Sequence, residues 1–159
     1  MFEWSDFTTA FWAFFLILPI VSFIHQLGHW TMAKMLGGTS DFVIGKGRKL
    51  FKIGPMTFKT IYFADSSCSY KGLKKNSKLS HILVHSGGFI FNISSTLLLN
   101  GVIIMGFLPE TAFFYQFGYF SMYYVFFALL PIKYSDTHVS DGLAIYEIIR
   151  NFEPKDVTD

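Results

Sequence analysis

The stretch TTAFWAFFLILPIVSFIHQLGHWTMAKML, residues 8–36, decides what kind of protein this is. The apolar run begins at Phe7, continues to Ile24, passes without a break signal into His25–Leu36 and stops at Gly37-Gly38. A helix over 8–36 is long enough to cross ~30 Å of hydrocarbon and to extend past it. Pro19 should loosen or kink it. A secretory signal reads differently: Glu3 and Asp6 stand where a basic leading segment belongs, and no small-residue cleavage pattern follows.

The rest of the chain agrees with a bilayer setting. Hydrophobic residues make up 52% of the 159 residues and charged residues only 15%, against roughly 25% in an average soluble domain. A soluble domain of this size has too much surface to cover with so few charges. Further spans are expected over about 79–108 and 112–131, the latter dense in Phe and Tyr and ended by Pro131. A short helix, Leu143–Phe152, follows Ser140-Asp141-Gly142. Between the first two spans, the segment over about 39–64 is rich in Gly and β-formers, with Gly54-Pro55 marking a turn. Two or three short strands, in hairpins at the membrane interface, fit it better than a helix. The expected fold is therefore a mainly α membrane protein: one domain over 1–159, three transmembrane helices, a short interfacial β-hairpin segment and a short C-terminal helix.

Nine of the thirteen Lys and Arg residues lie between Lys46 and Lys78. Because this cluster separates two apolar spans, it reads as a topological signal rather than a nucleic-acid surface, and it places the loop in the cytoplasm. The amino terminus would then lie outside, and His25 and His29 toward the cytoplasmic side. The single cysteine, Cys68, excludes an internal disulfide.

Chemistry concentrates in His25-Gln26-Leu27-Gly28-His29. Positions i and i+4 of a helix share a face, so both imidazoles can approach one metal ion. The familiar form of the motif is H-E-x-x-H, whose glutamate takes a proton from zinc-activated water; here that position is Gln26. Two histidines four apart also arise by chance, but ionisable groups at the end of a membrane helix are costly and usually functional. A catalytic zinc needs a third protein ligand. Asp136 and Asp141 both follow the third span. Asp141 opens the apolar terminal helix, a place that suits a carboxylate ligand and equally an ordinary N-cap. His81 and His85 repeat the i, i+4 spacing, where a bland interfacial role is the simpler reading than a second metal site. His138 lies near Asp141 and could shape substrate entry, though a solvated loop residue is the simpler reading.

These pieces fall in a recognisable order: H-x-x-x-H late in an apolar helix, a Gly-rich β segment, Gly87-Gly88 followed by Asn92, Leu129-Leu130-Pro131, then Asp141-Gly142. The order resembles the site-2 protease family of intramembrane zinc metalloproteases in its minimal bacterial form, over roughly Phe11 to Arg150. The resemblance implies Zn2+ as cofactor, with His25, His29 and Asp141 as ligands. Gln26 stands at the position of the general base, and Asn92 becomes a donor to the substrate carbonyl or its oxyanion. The chain departs from the family's pattern at Phe89 (usually Pro), Ala128 (usually Asn) and Ser140 (commonly Leu or Pro).

A neutral amide at position 26 cannot accept a proton, and general-base catalysis is worth about 10²–10⁴ in rate. The implied function is zinc-dependent cleavage of a membrane-spanning or membrane-associated peptide, switched off here by Gln26. A deliberate Glu-to-Gln change would leave this sequence, as would a naturally inactive relative that holds membrane clients; the first is the preferred reading. Control would come from a membrane partner or from the substrate itself. A metal-ion transporter is a third reading, for which three spans are few.

Overall fold

A computed structural model describes residues 4–134 and 138–151. Asp136 and the last residue of the expected terminal helix, Phe152, lie outside them. The first helical rod consists of α1 (Trp4–Trp12), a π-helical turn (Ala13–Ile17) and α2 (Leu18–Met35). The π turn explains how Pro19 is accommodated. Proline has no N–H to offer the carbonyl four residues back, which is that of Phe15. The Leu18 N–H reaches Ala13 O, and the Tyr62 hydroxyl donates to Phe15 O at 3.0 Å. An unpaired carbonyl at membrane depth would cost several kcal/mol.

Two strands follow, β1 (Thr39–Ile53) and β2 (Met56–Lys71), in one antiparallel hairpin. The β segment thus runs to Lys71 rather than ending near 64, and it forms two long strands rather than two or three short ones. The extension consists of Ser66, Cys68 and Tyr70, which alternate inward and are buried; small polar side chains hid a period-2 pattern. Around Gly45 and Gly47 the register shifts, and Ile44 is matched both to Ser66 and to Phe58. The tip of the hairpin therefore folds back over its own base. Phe42, Ile44 and Cys68 form a core there, against Phe23 and Trp30 of α2.

Helix α3 (Lys78–Ile104) starts at the Ser77 cap, whose hydroxyl accepts from Ser80 N. It ends before the expected residue 108, because Gly106 turns at φ +77 and the Phe107 N–H closes back on Val102 O. Helix α4 (Ala112–Leu129) and helix α5 (Asp141–Arg150) complete the chain. Among the described residues two helices, not the expected three, are long and apolar enough to cross a membrane: Asp6–Met35 and Lys78–Ile104. In α4, Gln116 and four tyrosines lower the apolar character of an otherwise Phe-rich helix.

The radial arrangement is that of a protein in lipid. Phe11, Phe14, Ile20, Leu97, Leu98, Ile104 and Phe126 point outward, while His25, Gln26, His29, His85, Asn92, Ser121 and Asp141 are buried. In water this would expose apolar area and desolvate polar groups together. In hydrocarbon the outward face is solvated, and most of the inner polar residues bond to one another.

Candidate metal centre

Two glycines bring α2 and α3 together. A Cβ on Gly28 would collide with the backbone of Gly87, and one on Gly87 with the backbone of Gly28. Next to this crossing, a Cβ on Gly88 would strike the rings of both His25 and His29. Small residues of this kind let membrane helices touch backbone to backbone. The result is a cradle floored by Gly88, with both imidazoles lying across it.

The third group arrives from 116 residues away in sequence. Ser140, not Asp141, is the N-cap of α5: its hydroxyl accepts from Leu143 N and Ile132 N and donates to Leu130 O. Those bonds, and a bridge between Lys133 and Val139, tie α5 to the end of α4. Gly142 lies so close to Leu129 that a Cβ there would strike its carbonyl. With capping done by Ser140, the Asp141 carboxylate is left to face the histidines.

Asp141 Oδ2 lies 3.0 Å from His25 Nε2 and 3.4 Å from His29 Nε2. The candidate ligand atoms of the three residues all fall within 4.8 Å of one another. Zinc bonds of about 2.0–2.1 Å in a tetrahedron set neighbouring ligand atoms about 3.3 Å apart, so the donor set and its spacing fit a Zn2+ ion. Burial disfavours charge on Asp141, but the facing charge of His29 and hydrogen bonds from His25, His29 and His85 hold its carboxyl well below the usual carboxylate range.

The groups behind the ligands fit as well. His29 Nδ1 donates to Val84 O at 2.9 Å. A carbonyl can only accept, so Nδ1 carries a proton; once Nε2 gives up the proton it shares with Asp141, its lone pair would face a metal ion in the cradle. His85 Nδ1 donates to Asp141 Oδ1 at 3.3 Å, which occupies one carboxylate oxygen and turns the other toward His25 and His29. His85 joins the centre although its spacing gave it only an interfacial role. Its partner in that spacing, His81, does not: its Nε2 donates to Asn76 Oδ1 and its Nδ1 accepts from Tyr70 OH.

Asn92 is fully buried and lies behind His25, with Nδ2 3.5 Å from Nδ1. It does not line the cavity in front of the metal-facing atoms. The sequence reading gave Asn92 to the substrate; the structure sets it against His25. Its carbonyl Oδ1 is buried without a hydrogen bond among the described residues. Turning the amide by half a turn would set Oδ1 against a His25 Nδ1–H, the tautomer that coordination through Nε2 requires.

The cavity, about 570 Å³, is bounded by His25, Gln26, His29 and Asp141, by Ser66 on β2 and by Tyr124 on α4. His138 also lines it, rather than standing apart as a solvated loop residue. Gln26 Nε2 donates to Ser66 Oγ at 2.8 Å, and Ser66 also meets Ser22 and the Tyr124 hydroxyl. Gln26 Oε1 is buried without a partner among the described residues.

Fold and site together define a helical membrane protein with a buried pair of histidines facing an aspartate. A relative described as the uncharacterized membrane protein YwmF of Bacillus subtilis (strain 168) is 49% identical over 150 residues, which is 94% of each chain. The chain belongs to the family of that membrane protein. No family model matches it, and no solved structure does.

Proposed function

We propose that this chain is an intramembrane zinc metallopeptidase of the site-2 type with its chemistry switched off at Gln26. The observation that carries the reading is the convergence of His25 Nε2, His29 Nε2 and Asp141 Oδ2 in a glycine-floored cradle between two membrane helices. His25, His29 and Asp141 hold the metal; Val84 O, His85 and Asn92 orient them. A zinc ion held there supplies Lewis acidity, which polarises a carbonyl and acidifies water. Gln26, whose place is that of a general base, donates its amide to Ser66 and takes no proton. Helix α4 forms the third span, and the basic hairpin faces the cytoplasm. The cavity admits an extended peptide segment of a membrane protein.

Restoring the base tests this. Gln26→Glu should raise hydrolysis by about 10²–10⁴, seen as new protein termini in the membrane proteome of cells expressing it, absent with the unsubstituted chain and absent again when His29→Ala is added. Unchanged termini, with zinc bound by the Gln26→Glu form, would end the peptidase reading. The second reading, a membrane protein that holds clients without cutting them, draws on the bonding of the amide nitrogen: Gln26 Nε2 joins a network with Ser22, Ser66 and Tyr124. Only the amide nitrogen is so held, Oε1 having no partner among the described residues; on that reading crosslinks from the cavity capture the same membrane proteins whether residue 26 is Gln or Glu.

A further inference from the structure

We infer that the groove between the first helical rod and the hairpin tip, on the wall of which Lys59 lies, is a binding site for an anionic phospholipid. The groove, about 390 Å³, is walled by Leu16, Pro19 and Ile20 on one side and by Leu50, Phe51 and Phe58 on the other, and Lys59 is its charged residue. It opens on the part of the rod that belongs to the Asp6–Met35 span, so its contents come from the bilayer rather than from water.

Charge makes the choice of lipid. In the hairpin register Lys49 stands directly opposite Lys59, an arrangement that destabilises a strand pair when nothing neutralises it. The two acidic residues of the hairpin are engaged elsewhere: Asp41 with Lys52 at 3.4 Å and Asp65 with Lys46 at 3.1 Å. Neither Lys49 nor Lys59 has an acidic partner among the described residues. Lys59 is half-buried, its stem lying along the apolar wall and its ammonium at the groove's edge. Beside the lysines, Leu50, Phe51 and Ile53 are 57%, 48% and 59% exposed. A phosphate between Lys49 and Lys59, with its acyl chain along Leu16, Ile20 and Phe51, satisfies the charge and the apolar surface at once. A free phosphate would use only the first, and a zwitterionic lipid would set its own cation against the lysines. Because β2 also walls the metal cavity through Ser66, a lipid in the groove would brace that strand against α2.

The full chain, purified in neutral detergent, is titrated with phosphatidylglycerol and with phosphatidylcholine of the same acyl chains, and bound lipids are counted by native mass spectrometry. Phosphatidylglycerol should be preferred. Lys49→Gln with Lys59→Gln should erase that preference, by about fivefold per lysine, with the melting temperature in lipid-free detergent unchanged or raised. Ile20→Trp, which fills the groove and leaves the charge alone, should weaken retention of phosphatidylglycerol, and inorganic phosphate should not displace it. Equal binding of both lipids by the unsubstituted chain, a preference that survives the double substitution, or displacement by inorganic phosphate would each overturn the assignment. Should the double variant unfold, Lys59→Gln alone must still lose about fivefold. The inference does not depend on the metal or on peptidase activity.

Discussion

His25 and His29 on α2 and His81 and His85 on α3 have the same spacing, the same kind of helix and the same burial, yet different partners. The first pair acts as a pair: both Nε2 atoms face Asp141 Oδ2. The second is divided. His85 holds the far oxygen of that carboxylate, while His81, one turn earlier, closes a local hydrogen-bond set with Tyr70 and Asn76. Helical spacing puts two side chains on one face, but only packing between segments brings a third group to that face. The Gly28–Gly87 crossing and the capped entrance of α5 bring only part of the α3 face to Asp141.

Removing a member of the first pair should break this contrast most severely. The proposed zinc site has only three protein ligands, so His29→Ala or Asp141→Ala should cost roughly a hundred- to thousandfold, read as loss of zinc after equilibrium dialysis of the purified protein. His85→Leu should cost about 10–100-fold, the scale of a lost group behind a ligand, with the fold intact by circular dichroism. An unchanged affinity there would remove His85 from the centre. Asn92 sharpens the comparison further. Asn92→Leu should weaken zinc binding by about tenfold, whereas Asn92→Asp, which can only accept from the Nδ1–H of His25, should keep it within about threefold. If Asn92 acted only on a substrate, both variants would bind zinc as the unsubstituted chain does. The smallest effect belongs to His81→Phe. Zinc affinity should hold within about twofold, while loss of the hydrogen bond to the buried Tyr70 hydroxyl costs about 1 kcal/mol of stability, seen as a lower melting temperature.

Much of the local structure was readable along the chain. The apolar run before His25, the hairpin turn at Gly54-Pro55 and the capped start of α5 follow from hydropathy, backbone preference and side-chain hydrogen bonding over a few residues. Errors came where a pattern was weak or a competitor unseen. The strand of Ser66, Cys68 and Tyr70 has the right alternation without strong β-formers. Asp141 was open to two readings, ligand or cap, until Ser140 took the second. The third apolar stretch forms a helix, but its tyrosines and Gln116 keep it short of the hydropathy of the other two.

By itself the sequence determined the membrane setting, the shared face of His25 and His29 and the neutral amide at position 26, since composition and helical periodicity act within one segment. Only the tertiary structure decided that Asp141 is the acid they face, that His85 rather than His81 stands behind it, and that Asn92 backs His25 instead of lining the cavity. Those are relations between segments up to 116 residues apart. They are set by how closely two glycine backbones approach and by how the loop after Pro131 returns α5 to the end of α4, and no periodicity along a single helix encodes either.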